Sequence, residues 1–183
     1  DLVLDTNSGT NSGTITITDG ASGAINIAPN GSGVAQVGGS AIKVAGKETI
    51  WIPASAMYAS TTNGADAEQI ETSAARPDMK VFDFDASTVQ YTQFSVAFPK
   101  SWNEGTITYQ VYWSPSTTNT GNCIFAMQGV SVGDGDTIDV TFGTQQNITD
   151  AGIGTVEDQQ VSPVSSAMTI GSAAVDTQTY FQF

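Results

Sequence analysis

Residues 14–33 contain two near-copies of one ten-residue unit, TITITDGASG followed by AINIAPNGSG. Each copy is a short alternating strand that ends in a Gly-rich turn. One such strand offers only two large apolar side chains, which bury too little surface to build a core within a single chain. Units of this kind become stable by stacking on further repeats or by pooling their apolar faces with other copies of the chain. The repeat therefore predicts an assembly, and a fibrous one.

The remainder of the first 46 residues continues this pattern of short strands and turns. Asp19-Gly20 and Asn30-Gly31 are hairpin-type turn signals, because these residue types tolerate a positive φ. No window in this region shows helical periodicity. We therefore predict a repetitive β-shaft over residues 1–46 that trimerises in parallel. The predicted trimer core consists of Ile15, Ile17, Ile25 and Ile27.

The composition changes at residue 47, and the aromatic residues lie beyond it. All three Trp residues, and every Phe and Tyr, follow residue 50, which places the main hydrophobic core there. Many short strands separated by Gly- and Pro-rich turns predict an all-β chain, with an antiparallel, jelly-roll-like β-sandwich head over residues 47–183. The last apparent strand ends at Phe183 without a polar tail. We therefore expect a head that is truncated at its C-terminus.

The clearest alternation is in residues 91–98 and 106–113, which we predict to pair as a hairpin. Residues 54–79 are rich in Ala, Ser and Thr and predict an irregular connection. Further strands are predicted at 81–84, 123–132, 138–142, 168–170 and 179–183, with a break over 147–160.

The charge balance excludes several partners. Five basic residues against 18 acidic ones give a net charge of −13, so no basic patch is available for nucleic acid or an anionic membrane. No segment approaches the ~18 consecutive apolar residues that a membrane-spanning helix needs, so we expect no membrane insertion. Only 13% of the residues are charged, and hydroxyl and amide side chains solvate much of the surface, as is common in extracellular and virion β-proteins.

Catalytic residues are largely missing from the sequence. The chain has no His, which excludes Ser-His-Asp and Cys-His catalysis and His-bearing metal sites. A single cysteine, Cys123, excludes an intrachain disulfide and is expected to be buried and inert. Glu104, beside Trp102, could pair with an Asp for glycoside hydrolysis, or the segment could be a turn whose Trp fills the edge of the core. We expect a non-enzymatic protein.

One acidic segment could bind a metal. Asp134, Asp136 and Asp139 are separated by Gly, Thr and Ile, and clustered carboxylate oxygens suit a hard cation such as Ca²⁺. The spacing does not match an EF-hand loop, and Asp-Gly is also an ordinary turn signal. We therefore expect no cofactor, with Ca²⁺ at these three residues as the alternative.

Two tyrosines are the predicted ligand or receptor contacts. Tyr58 lies in the long connection, and Tyr112 has the opposite parity to Trp113 on a predicted strand, so both are expected to be exposed. They could stack on sugars of a host surface glycan or contact a host protein, or they could pack between subunits or cap the sandwich. The segments 59–75 and 147–160 are predicted loops on which a receptor could be recognised.

Several segments resemble a family of structural proteins of tailed bacteriophages of marine origin. The similar segments are IAPNGSG within 25–33, WIPASAM within 48–57, FDFD at 82–85, FPKSWNEG at 98–105, and 128–130 with 142–144. The resemblance covers nearly the whole chain. It implies a trimeric virion appendage such as a tail fibre, and a head that continues beyond Phe183 with another strand or two. It does not imply a particular ligand or active site.

Three functions remain open on the sequence. The first is a trimeric tail fibre or spike on the virion surface, whose head attaches to the host and whose other partners are virion proteins. The second is a purely structural protein that decorates a capsid or links fibres. The third is an extracellular carbohydrate-binding module or glycan-active enzyme.

Overall fold

A computed structural model describes residues 48–183 continuously, together with residues 2–5, 14–17, 20–21 and 25–28. The chain divides into two compact units, residues 1–42 and residues 43–183. This division lies four residues before the predicted boundary between residues 46 and 47.

The N-terminal unit contains a three-stranded antiparallel sheet. Its strands are β1 (Leu2–Asp5), β2 (Thr14–Ile17) and β3 (Ile25–Ala28), with β2 in the centre. The register places Ile15 opposite Ile27 and Ile17 opposite Ile25. The side chains of these four residues lie outside what the structure describes, so the predicted trimer core stays a prediction.

Residues 48–183 of the second unit contain nine strands. They are β4 (Tyr58–Ala59), β5 (Asp66–Ile70), β6 (Met79–Asp83), β7 (Thr92–Val96), β8 (Tyr112–Trp113), β9 (Asn122–Val132), β10 (Gln146–Ala151), β11 (Gln160–Val161) and β12 (Gln178–Gln182). Five of them form one antiparallel sheet in the order β10-β9-β12-β7-β4. The predicted all-β architecture is confirmed. In the described residues no helix is long or apolar enough to cross a membrane, and the one helix of the second unit is a 3₁₀ turn at Ala54–Ala56.

A second layer covers the inner face of this sheet. Residues 107–113 run antiparallel to residues 160–168, through the β8–β11 pair and two hydrogen bonds between Ile107 and Met168. Between these points the side chains of Ser162 and Ser165 accept hydrogen bonds that main-chain carbonyls would accept in a regular antiparallel ladder. Their Oγ atoms accept hydrogen bonds from the main-chain N–H groups of Val111 (2.9 Å) and Tyr109 (3.0 Å). Pro163, which has no N–H, is accommodated between the two serines because side chains complete the ladder.

The hydrophobic core lies between the two layers. Phe94 and Phe181 are cross-strand neighbours on β7 and β12, and their rings stack with centroids 5.0 Å apart. Met168, which is fully buried, reaches this cluster from the second layer. Gly129 on β9 leaves the space that the Phe181 ring occupies, since a Cβ there would lie 2.6 Å from Phe181 Cε1.

The predicted hairpin between residues 91–98 and 106–113 is wrong. The first segment forms β7, which pairs with β12 and β4, whereas the second crosses to the other layer. The connection does contain a tight turn, in which the Trp102 N–H donates to the Pro99 carbonyl at 2.9 Å. The Trp102 ring stacks on Phe98 with centroids 4.2 Å apart, and the chain then leaves the sheet for the other layer. Trp102 packs against the core, which confirms the interpretation of this residue as a filler of the core edge.

Four other predictions require correction. Residues 168–170 form no strand, and Met168 makes only an isolated bridge with Ile107. Residues 54–79 are not wholly irregular, because β5 lies within them and pairs with β6 as a hairpin. The predicted break at 147–160 contains most of β10, which pairs along β9. Residues 138–142 form no strand; Val140 N–H instead bonds the carbonyl of Ile138 in a local turn.

Candidate binding surfaces

The five-stranded sheet has an inner face that packs on the core and an outer face that points away from the second layer. The register defines both, because residues directly opposite each other on neighbouring strands share a face. Phe181, Phe94 and Met127 point inward into the core. The neutral face is the name we give to the outward positions that reach solvent, which are Tyr58, Gln93, Ser95, Asn122, Ile124, Ala126, Gln128, Asn147, Thr149, Ala151, Gln178, Tyr180 and Gln182. Val130 and Val132 have the same parity on β9 but are buried, so they are not part of it.

A row of amide side chains crosses the neutral face. Gln128, Gln182, Gln93 and Tyr58 stand directly opposite one another on four adjacent strands. Gln128 Nε2 donates to Gln182 Oε1 at 2.7 Å, and Tyr58 OH donates to Gln93 Oε1 at 3.4 Å. The row therefore satisfies part of its own hydrogen-bonding capacity within the sheet.

A second group of hydrogen bonds lies beside this row. Gln178 Nε2 donates to Ser95 Oγ at 2.9 Å, and Tyr180 OH donates to Gln178 Oε1 at 3.0 Å. At this end of the sheet a shallow depression of about 580 Å³ is bounded by Lys100 and Asp176, which form an exposed ion pair. Exposed pairs of this kind contribute little to stability.

The neutral face carries no charged side chain, although the chain carries 18 acidic residues. This holds for all five strands of the sheet, each of which the structure describes completely. The one acidic residue of the sheet, Asp150, points inward, where its Oδ2 accepts a hydrogen bond from Trp113 Nε1 at 2.9 Å.

An exposed aromatic pair lies on the outer side of the second layer. The rings of Trp51 and Tyr112 meet edge to face with centroids 4.9 Å apart. Trp51 is 60% exposed and Tyr112 is 49% exposed, so both rings keep a large area in contact with water. Val161, 48% exposed, stands directly opposite Tyr112 on β11. Nearby Gln110 shares the parity of Tyr112 and donates from Nε2 to the carbonyl of Ser162.

The two predicted receptor tyrosines are both exposed, but the structure does not bring them together. Tyr58 lies at the edge of the neutral face, and Tyr112 lies on the opposite outer side of the sandwich. Each is 49% exposed in the single chain. They belong to two separate surfaces.

The three predicted calcium ligands do not form a metal site in the described part of the chain, where no group of three potential acidic, His or Cys ligands occurs. Asp134, Asp136 and Asp139 are exposed in the turn after β9. Asp136 Oδ2 accepts a hydrogen bond from the main-chain N–H of Gly133 at 3.0 Å, which is turn chemistry. Calcium binding stays a prediction without structural support.

Glu104 and Cys123 are the remaining chemical candidates. Glu104 Oε1 accepts a hydrogen bond from the main-chain N–H of Val175, which ties two loops together. Cys123 is a free thiol that is half-buried, not buried as predicted. Burial, followed by the nearby negative charge of Asp150, raises the pKa of this thiol and so lowers its reactivity.

No protein-family model matches this chain, and comparisons with curated proteins and with solved structures found no match. The class that the structure itself defines is an all-β protein with an antiparallel five-stranded sheet covered by a second layer. Function has to be argued from the two surfaces.

Sequence reasoning missed Trp51 and the four glutamines of the neutral face. The outward orientation of Gln93 and Gln182 could have been predicted from the sequence. The alternation of residues 91–98 and 179–183 assigns both glutamines to the polar side of a strand. No sequence signal pairs Trp51 with Tyr112, since they are far apart in the chain and lie in different elements.

Proposed function

We propose that this chain is the trimeric, non-enzymatic attachment protein of a virion appendage, a tail fibre or spike, whose head binds a neutral glycan of the host surface. The repetitive N-terminal segment gathers the copies and connects them to other virion proteins. The head acts without a cofactor. Several weak contacts made by one assembly add through their high effective concentration.

The observation that carries this proposal is the exposed pair of Trp51 and Tyr112. Two large rings left 60% and 49% in water are costly unless they have a partner. Aromatic faces suit the apolar faces of pyranose rings. Gln110, which has the parity of Tyr112, uses its Nε2 on the Ser162 carbonyl, and its amide oxygen can accept a hydrogen bond from a sugar hydroxyl. An antiparallel sandwich is a rigid support for such a site.

The net charge selects among glycans. At −13 the chain repels sialylated or phosphorylated saccharides at long range. A neutral hexose or hexosamine oligosaccharide approaches without this penalty. We therefore assign the pair to uncharged sugars.

Monovalent oligosaccharides test the proposal. An array of neutral and acidic oligosaccharides identifies a binder, which is then titrated against the full chain by calorimetry. Because truncating a central aromatic contact typically costs at least about 1.4 kcal/mol, the Trp51→Ala and Tyr112→Ala variants should lose affinity about tenfold or more.

Tyr58→Ala is the matched control. It removes a tyrosine with the same exposure from the other side of the sandwich, and a monovalent sugar excludes any effect of valency. Affinity should be unchanged. An array that binds only acidic sugars, or an unaltered affinity in Trp51→Ala, would refute the proposal.

A further inference from the structure

The neutral face is an unusual surface for a chain this acidic. The acidic residues of the second unit lie on the β5–β6 hairpin and on loops such as 133–139 and 157–158, or point inward as Asp150 does. Depletion of charge is the compositional signal of the centre of a protein–protein interface. The distribution therefore sets one side of the sandwich apart.

Electrostatics identifies the partner that this face suits. Two copies with a net charge of −13 each repel one another, and acidic side chains brought close together in an interface would add to that repulsion. Copies can meet most favourably through a surface that contributes no charge. Of the two sides of the five-stranded sheet, only the outward side carries no charged residue.

The polar groups of the neutral face are prepared for burial. Gln128 already bonds Gln182, and Gln178 bonds both Ser95 and Tyr180. An amide that keeps a partner within its own sheet costs less to remove from water than a free one. A neighbouring molecule therefore has to satisfy only the remaining donors and acceptors.

The same face also exposes an apolar residue. Ile124 on β9 is 68% exposed and stands opposite Thr149 on β10. Tyr58 and Tyr180 add two residues of the type that interfaces favour. An isoleucine in the open gains from contact with protein, whereas a sugar-binding face would place a polar or aromatic residue there.

We propose that the neutral face is the surface through which the heads of neighbouring copies of this chain contact one another. The occupant is a second copy of the chain. The contact is independent of glycan binding, since Trp51 and Tyr112 lie on the opposite side of the sandwich. The pair of Trp51 and Tyr112 on each copy therefore stays accessible to a ligand in the assembly.

The two tyrosines with equal exposure provide the test. Hydroxyl-radical footprinting of the full chain, without ligand, compares the oxidation of Tyr58 and Tyr112, each 49% exposed in the single chain. If copies meet through the neutral face, Tyr58 is oxidised several-fold more slowly than Tyr112. Sedimentation of the same sample reports the number of copies.

A charge placed on the neutral face should abolish the protection of Tyr58 from oxidation. Ser95 is exposed in the middle of β7, so Ser95→Glu adds a carboxylate where the copies meet and should raise the oxidation of Tyr58 to that of Tyr112. Thr108→Glu places the same charge on the exposed outer side of the second layer and should leave Tyr58 protected. Circular dichroism checks that both variants fold.

Each outcome decides the proposal. Equal oxidation of Tyr58 and Tyr112 in the wild-type chain overturns it, and so does continued protection of Tyr58 in a folded Ser95→Glu variant. A wild-type chain that sediments as a monomer overturns both this contact and the proposed trimer. An oligomer with an oxidised Tyr58 overturns only this contact. If Ser95→Glu does not fold, the wild-type comparison alone decides.

Discussion

Gly129 shows how one missing side chain determines the packing of the core. The Phe181 ring lies across it, and a Cβ at this position would come within 2.6 Å of Cε1 and 2.8 Å of Cδ1. The ring in turn stacks on Phe94, so it has little room to move. The glycine is required here for close approach.

We expect Gly129→Ala to destabilise the head by about 1–3 kcal/mol, the usual cost of overpacking a core. Urea denaturation measures the change in the free energy of unfolding. A Phe181→Leu substitution in the same chain should make Gly129→Ala less costly, because the smaller side chain vacates the contact. If Gly129→Ala lowers the free energy of unfolding equally in the wild-type chain and in the Phe181→Leu variant, contact with the Phe181 ring is not the cause of the destabilisation.

Tyr109 gives the head a dependence on alkaline pH. Its single O–H donates to the main-chain carbonyl of Gln146 at 2.8 Å, with the carbonyl of Phe125 as a longer shared acceptor at 3.2 Å. Burial raises the pKa of Tyr109 from 10.0 to about 12. The unfolded chain therefore loses this proton at lower pH than the folded one, so the contribution to stability is complete below pH 10 and is lost as the pH rises towards about 12.

Absorbance of the phenolate band measures this titration. One tyrosine should ionise with a pKa of about 12, and Tyr109→Phe should remove that step together with the matching part of the alkaline loss of stability. Tyr112→Phe, on an exposed ring, should keep both. A late step that survives in Tyr109→Phe would assign it to another residue.

The second layer shows how an element is completed by side chains where the backbone cannot pair. Ser162 is only 2% exposed, and its Oγ accepts from Val111 N–H and donates to the Pro163 carbonyl, both at 2.9 Å. Loss of the hydroxyl leaves a buried N–H without a partner.

Ser162→Ala should therefore lower the free energy of unfolding by about 1–3 kcal/mol. Ser166→Ala is the control, because Ser166 is an exposed serine of the same segment and should change stability little. Thermal or urea unfolding distinguishes them. Similar small changes in both variants would mean that water replaces the hydroxyl.

The elements also show what the sequence could and could not predict. Alternation located β7, β9 and β12, because period-two patterning reflects local burial on one face. It missed β5, whose residues are nearly all exposed, and β10, which lies within a predicted break. Two adjacent alternating segments were wrongly paired, because alternation does not show that the chain leaves the sheet after the turn at residues 99–102 and enters the other layer.

At the scale of the whole molecule, the fold class followed from composition, whereas the candidate surfaces did not. Gln128, Gln182, Gln93 and Tyr58 form a row only through the pairing of four strands that are distant in sequence. Tyr112 could be predicted as exposed from its parity on the strand, and Tyr58 from its place in the long connection. Their separation onto opposite sides required the register of both layers.

The uncharged outer side of the sheet has a consequence for ionic strength. Where subunits are joined by salt bridges, added salt weakens the contact by screening attraction. No attraction between charges is available across the proposed contact, so screening acts only on the mutual repulsion of chains that each carry a net charge of −13. Association through this side should therefore tighten as salt rises, so that the assembly is most secure in a saline medium and loosens in dilute buffer.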